Sequence, residues 1–319
     1  MNTSIKQNLN SISVTSNIRL SISESGKTAE AIRKTEKVTK SISMVLVYAF
    51  LFIMALIIVF PFYWMIITSL KQNTEIQSNI QTFFPNIVMW SNYVYVFKTF
   101  DFFTYMKNTI VVAIFSTAGT LITTVFAAFA FSRLTFKGRD FLFMIFLMTM
   151  MIPGEMMVIS NYITIASFGW IGNNQTITQA YLAMIVPFLV SVFHIYLLRQ
   201  NFKQIPNELY LAAKVDGTSD FKYLLKIMVP LALPTLISIT ILKMMGAWNS
   251  YIWPKLVAND EAHKMITNGL RSAFTATDGQ TDYPVQMAAV AIVSAPLFLV
   301  FLFLRKYIMK GVSRSGIKG

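Results

Sequence analysis

The sequence predicts an all-α, polytopic membrane protein with six transmembrane helices and both termini in the cytoplasm. Three observations carry this. The 319 residues are 55% hydrophobic and only 13% charged, with 27 Phe and 19 Met, and a soluble fold so apolar would expose patches it could not hide. Six apolar runs, at 44–70, 108–131, 141–161, 178–198, 231–253 and 285–304, each lie near the roughly 20 residues that cross about 30 Å of hydrocarbon. The basic residues are one-sided: with the N-terminus inside, 20 of the 27 Lys and Arg fall in cytoplasmic segments, as the positive-inside rule requires.

The same placement explains the net charge of +13. It is a topology signal beside anionic lipid, not a nucleic-acid footprint. The absence of cysteine excludes disulfides and thiolate metal sites. His194 and His263 are far apart in sequence with no ligand cluster near either, so no metal site is expected.

Taken in order, residues 1–43 are polar and lack an apolar run of signal-peptide length. They read as a cytoplasmic N-terminal tail, partly disordered, with a short helix near 28–39. The first run is long enough to tilt. The loop at 71–107 carries Trp90, Tyr93, Tyr95, Phe97, Phe100 and Phe102. These suit the headgroup level and equally a surface helix on which a partner leans. The third run ends in Met151-Ile152-Pro153-Gly154-Glu155, where Pro153 removes a backbone donor and predicts a break. Glu155 reads two ways: a polar element of a path or subunit interface, or a carboxylate at the outer interface. His194, in the fourth run, reads as a hydrogen-bonded structural histidine.

The stretch 205–234, between two apolar runs, is the most structured part of the sequence. Pro206 or Asn207 starts a helix. Leu209, Ala212 and Ala213 share one face, and Gly217 stops the helix. Ser219 caps a second helix on which Phe221, Leu224, Leu225 and Met228 fall at i, i+3, i+4 and i+7. That helix feeds the fifth run at Pro230. Lys243 then lies in the outer half of its span, where it snorkels or lines a cavity. Trp248, Asn249, Tyr251 and Trp253 suit sugars, whose C–H faces stack on aromatics and whose hydroxyls bond amides; they suit an aromatic belt as well. The outer loop at 255–283 is polar. Residues 305–319 form a basic cytoplasmic C-terminal tail.

Ala212-Ala213, three residues, Gly217, nine residues and Ile227-Met228-Val229-Pro230 resemble the coupling segment of ATP-binding-cassette importer permeases. "WNSYIWP" and the Lys-Gly tail resemble the same family, in its carbohydrate-uptake branch and most like the second, six-span permease of maltose-type systems. The resemblance covers about 44–319. It implies a type I importer permease fold in the 44–304 domain, with a coupling hairpin at 205–230 that docks on an ATPase through Glu208, Leu211, Ala212, Ala213, Asp216, Gly217, Ile227 and Pro230. Leu211 and Val229 depart from the family pattern, which has Glu and Leu there. The resemblance also implies an ATPase contact at Gly316, Lys318 and Gly319. A substrate path is read at Glu155, Lys243, Trp248, Asn249 and Tyr251.

The implied partners are a second homologous permease, two ATPase subunits, an extracytoplasmic solute-binding protein and the lipid bilayer, without nucleic acid. The implied location is a bacterial or archaeal cytoplasmic membrane. No Gly-x4-Gly-Lys-Ser/Thr loop occurs, so the chain is not expected to be an enzyme. No metal or cofactor is expected on it, ATP and Mg belonging to the ATPase partners. The expected function is import of a carbohydrate by ATP-driven alternating access. The alternatives are an importer permease for an amino acid, peptide or phosphate, and a non-transporting membrane scaffold.

Overall fold

The computed structural model describes residues 39–78, 81–99, 101–258, 260–274 and 282–315. The expected N-terminal tail up to residue 38, including most of its short helix, lies outside them, as do Gly316, Lys318 and Gly319. Among the described residues every regular element is helical. The chain divides into two units, 1–64 and 65–319. The first is represented by most of α1 (Thr39–Ser69), an apolar helix whose side chains from Met44 to Phe60 are exposed.

The second unit opens with a polar latch. Lys71 and Glu75 are buried in and around α2 (Asn73–Ile76). Lys71 Nζ donates to the Thr82 carbonyl, and Glu75 accepts from the Thr82 hydroxyl and from the Asn86 N–H at 3.2 Å. Both charges are therefore hydrogen-bonded, as buried charges must be. Between α2 and α4, α3 (Ser91–Thr99) is tied back by Asn92 Nδ2, which donates to the Ser69 and Lys71 carbonyls at 2.9 and 3.1 Å.

The central element is α4 (Phe102–Ser132). Asp101 caps it by accepting from the Thr104 N–H. Ala113, Ser116, Thr117, Thr120, Thr124 and Ala128 form a buried stripe at helical spacing along it. Small side chains at that spacing let neighbouring helices approach closely, which is how helices associate in lipid.

The next three apolar runs are not straight. α5 (Arg139–Thr149) meets the 3₁₀ turn Gly154–Met157 and α6 (Val158–Ser167) at 88°, the break falling at Pro153. α7 (Ile177–Ile185), opened by a Thr176–Gln179 capping box, runs through a 3₁₀ turn containing Pro187 into α8 (Val192–Gln204) at 51°. α9 (Asn207–Val215) is followed by α10 (Asp220–Tyr223), a π turn at Leu224–Met228, and α11 (Val229–Leu231). That second arm meets α12 (Leu233–Trp248) at 79°. Each bend has a proline at or beside it, where the missing N–H and the ring clash disrupt the ladder. α13 (Ile252–Val257), a 3₁₀ turn at Glu261–His263 and α14 (Ile266–Phe274) lead to α15 (Tyr283–Ser315). Among the described residues three continuous helices are long and apolar enough to cross a membrane, and up to six segments are if each bent pair counts as one.

Among the described residues four core clusters include α4 side chains, the smallest joining Phe131, Phe143 and Ile195. One joins Ala128, Phe129, Leu198 and Phe202 to the hairpin residues Tyr223 and Met228. A second, at the other end, joins Tyr105, Trp248, Ile266 and Val285. Between them, Val112, Met184, Trp253 and Met265 form a third.

Candidate functional site

The hairpin between α8 and α12 is built for rigidity. α9 ends in a Schellman turn. The Thr218 N–H reaches the Ala213 carbonyl at 2.8 Å, and the Gly217 N–H reaches Lys214 at 3.1 Å. Gly217 sits at φ +68°, a left-handed conformation that a Cβ disfavours. Ser219 then caps α10 by accepting from the Lys222 N–H.

Across the turn the arms are clasped. Tyr210 Oη donates to Asp220 Oδ1 at 2.8 Å, and Lys214 Nζ lies 2.7 Å from the same oxygen. The Tyr210 ring packs on Tyr223 with centroids 5.0 Å apart. Burial, and then the bond to Asp220, raise the Tyr210 pKa above the usual phenol value, and Asp220 raises that of Lys214.

The base of the hairpin is held by Arg133, at the end of α4. Its buried guanidinium donates to the Phe202 and Ile205 carbonyls at 2.8 and 2.5 Å and reaches Asn207 Oδ1 at 3.3 Å. Ala213, Tyr223, Leu224 and Met228 close onto the core beneath. Each of the three larger side chains contributes roughly 1.5–3 kcal/mol by burial.

The predicted docking residues separate by exposure. Glu208, Leu211, Ala212, Asp216, Gly217 and Pro230 are exposed, Ile227 is half-buried and Ala213 is buried. The exposed side of α9 is notably apolar, with Leu211 and Val215 four residues apart and Val215 88% exposed. On the second arm Phe221 and Leu225 face outward, while Tyr223, Leu224 and Met228 are buried. A π turn follows, with a wider i→i+5 bond from the Val229 N–H to the Leu224 carbonyl, and Pro230 has no N–H for the Lys226 carbonyl.

A second feature lies between the two end cores. A cavity of about 290 Å³ is lined by Ser116 of α4, Phe188 before α8, His194 of α8, Lys243 of α12, and Ser250 and Trp253 beyond it. The break at 189–191 frees backbone carbonyls. Phe188 accepts from Thr120 Oγ1 at 3.1 Å and from Lys243 Nζ at 2.9 Å, and Leu189 accepts from Thr123 Oγ1 at 2.6 Å. Non-helical backbone at membrane depth is tolerated where protein satisfies it in this way. The Trp253 indole is fixed by its bond to the Ala183 carbonyl at 3.0 Å and stands edge-on to Phe188.

Of the predicted path residues, Lys243 lines this cavity. Glu155 is exposed in the turn of the 88° bend. Trp248 is buried in the end core beside Tyr105 and Ile266, its Nε1 without a partner. Asn249 is exposed. Tyr251 sits between cations, 5.1 Å from Arg271 and 5.8 Å from Lys255. The sequence did not point to Ser116 or Ser250 for the path, nor to Arg133, Tyr210, Lys214 or Asp220 for the hairpin, whereas Trp253 stood among the residues suited to sugars. The i,i+4 pair Tyr210–Lys214 facing an acid across a short turn was a signal within reach. Among the described residues no group of three or more His, Cys, Asp or Glu could hold a metal ion.

The family model for the "binding-protein-dependent transport system inner membrane component" matches residues 119–314. The trehalose/maltose transport system permease protein MalG of Thermococcus litoralis is 30% identical over 84% of this chain and 94% of its own length. The arabinooligosaccharides transport system permease protein AraQ of Halalkalibacterium halodurans is 28% identical over 90% of this chain and 99% of its own. A chain from the crystal structure of a bacterial transporter involved in the import of the acidic polysaccharide alginate superposes with a TM-score of 0.73 at 24% identity, covering 84% of this chain and 97% of that one. The chain therefore belongs to the family of inner-membrane components of binding-protein-dependent transport systems. As such it is a multi-pass transport subunit rather than an enzyme, and its expected all-α membrane fold is the one observed.

Proposed function

We propose that this chain is a permease subunit of an ATP-driven importer of oligosaccharides, working beside a second permease, two ATPase subunits and an external solute-binding protein. The observation that carries it is the hairpin, a rigid, clasped turn with an outward face at Leu211, Ala212, Val215 and Asp216. Its second arm runs through a sharp bend straight into α12. A lever needs stiffness at its tip and a continuous link to the moving spans, and this element has both. ATP binding by the partners would then bias one of two arrangements of the spans, as a two-state switch requires. The carbohydrate assignment rests on the relatives, which include permease proteins for arabinooligosaccharides and trehalose/maltose. One solved relative is in complex with an oligosaccharide-bound periplasmic protein, which supports dependence on such a protein here.

The test is co-purification with the ATPase, together with ATPase stimulation by a sugar-loaded binding protein. Ala212→Asp alters the outward face and leaves the buried Ala213 contact intact. The reading predicts loss of ATPase binding with normal membrane insertion. Unchanged binding and unchanged stimulation would refute it.

A further inference from the structure

We infer that the cavity between α4, α8 and α12 binds the carboxylate of an acidic sugar unit. The sugar part of this statement rests on the importer reading above; the charge part rests on the cavity itself. Lys243 Nζ lines the space, and no Asp or Glu does. Among the described residues its one hydrogen bond is to the neutral Phe188 carbonyl, and the Phe188 ring lies 5.9 Å away, which leaves two donors and no counter-ion. A cation in an apolar span without a counter-ion marks a ligand path.

The second observation is independent. His194 is 92% buried, lines the same cavity, and its Nδ1 has no hydrogen-bond partner. An imidazole N–H there can donate to an anion. The hydroxyls of Ser116 and Ser250 complete a polar rim. The fixed Trp253 ring offers a flat wall on which the C–H face of a sugar rests. Cation, N–H donor, hydroxyls and an aromatic wall together fit a uronic acid better than a neutral hexose, whose hydroxyls accept from the ammonium but bring no charge to offset it.

The experiment is equilibrium dialysis of the full-length chain, with its co-purifying subunits in lipid nanodiscs, against labelled trigalacturonate and its methyl ester. The wild type should bind the acid at least tenfold more tightly than the ester. Lys243→Arg should keep that preference. Lys243→Gln, which retains a donor for Phe188 but no charge, should bind both alike. Equal binding of acid and ester by the wild type, binding of neither, or a preference that survives in Lys243→Gln would each overturn the inference. Uptake into vesicles separates the two readings. An acid preference in binding with no uptake of any sugar refutes the importer and leaves the anion site standing. Uptake without acid preference does the reverse.

Discussion

Tyr210 Oη and Asp220 Oδ1 stand 2.8 Å apart across a turn of nine intervening residues, and that bond joins the two arms of the hairpin. Lys214 reaches the same oxygen, but both charged partners are more than a third exposed, so solvent screens the ion pair and it adds little. The half-buried phenol bond contributes roughly 1 kcal/mol. Tyr210→Phe is therefore expected to loosen the hairpin by about 1 kcal/mol and Lys214→Met by less. Hydrogen exchange of the 207–229 amides should rise accordingly, with the spans unaffected.

Arg133 fixes the base of that hairpin from α4. Removing its side chain leaves the Phe202 and Ile205 carbonyls without their donor in a buried place, at a cost of about 2–3 kcal/mol. Arg133→Lys should recover only part, because an ammonium cannot match the guanidinium fork. Thermal unfolding of the detergent-solubilised chain orders the three proteins as wild type, Lys, Ala.

Gly217 and Gly269 are constrained for different reasons. A Cβ at Gly217 meets nothing, so Gly217→Ala is opposed only by the positive φ, about 1–2 kcal/mol, and Gly217→Asn by less. A Cβ at Gly269 overlaps the buried Tyr105 ring, so Gly269→Ala forces repacking that costs roughly 1–3 kcal/mol. The first variant should perturb only the hairpin by hydrogen exchange, the second the core around Tyr105.

This contrast shows what the sequence could reveal. Gly217 was legible because a helix period stops at it and a capping serine follows. Gly269 was not, because its constraint comes from a tyrosine 164 positions earlier in the chain. The apolar runs exposed the membrane fold through composition alone, and Pro153 announced the break in the third run, but the runs did not show that the fourth and fifth bend as well. Pro187 and Pro234 signal a disruption without stating its angle, which neighbouring helices set. Lys243 was visible as a charge in an apolar run. Its cavity was not, since Ser116, His194 and Trp253 come from three other segments. Trp248 illustrates the converse: its place in a motif suggested a path, whereas packing puts it in the core with Tyr105.

Glu261 gives a pH signature. Its carboxylate accepts from Lys264 and from Tyr105 Oη at 2.6 Å, and Lys264 first, then Tyr105, hold its pKa below the ordinary glutamate value. A depressed carboxylate pKa adds stability above the unfolded value, near 4.3. That stability is lost as pH falls through the lower folded value. The unfolding midpoint should therefore decline below about pH 4.5 and less steeply in Glu261→Gln. Equal slopes would mean that this contact does not tie the Glu261–His263 turn to α4.

Leu211 offers the cleanest separation of folding from docking. It is 55% exposed on the outward face of α9, beside Val215 and away from the clasp and the core. A substitution there should change stability by no more than about 0.5 kcal/mol. The importer family pattern has Glu at this position, so Leu211→Glu restores an acidic side chain, whereas Leu211→Lys reverses its sign. If the hairpin docks through its apolar patch, both variants weaken ATPase co-purification, and wild-type binding depends little on salt. If the partner surface is basic, Leu211→Glu binds more tightly at low ionic strength and loses the gain at high salt, because charge contacts are screened. Binding measured at two salt concentrations, with unfolding midpoints as the control, decides which chemistry the hairpin's exposed face offers an ATPase.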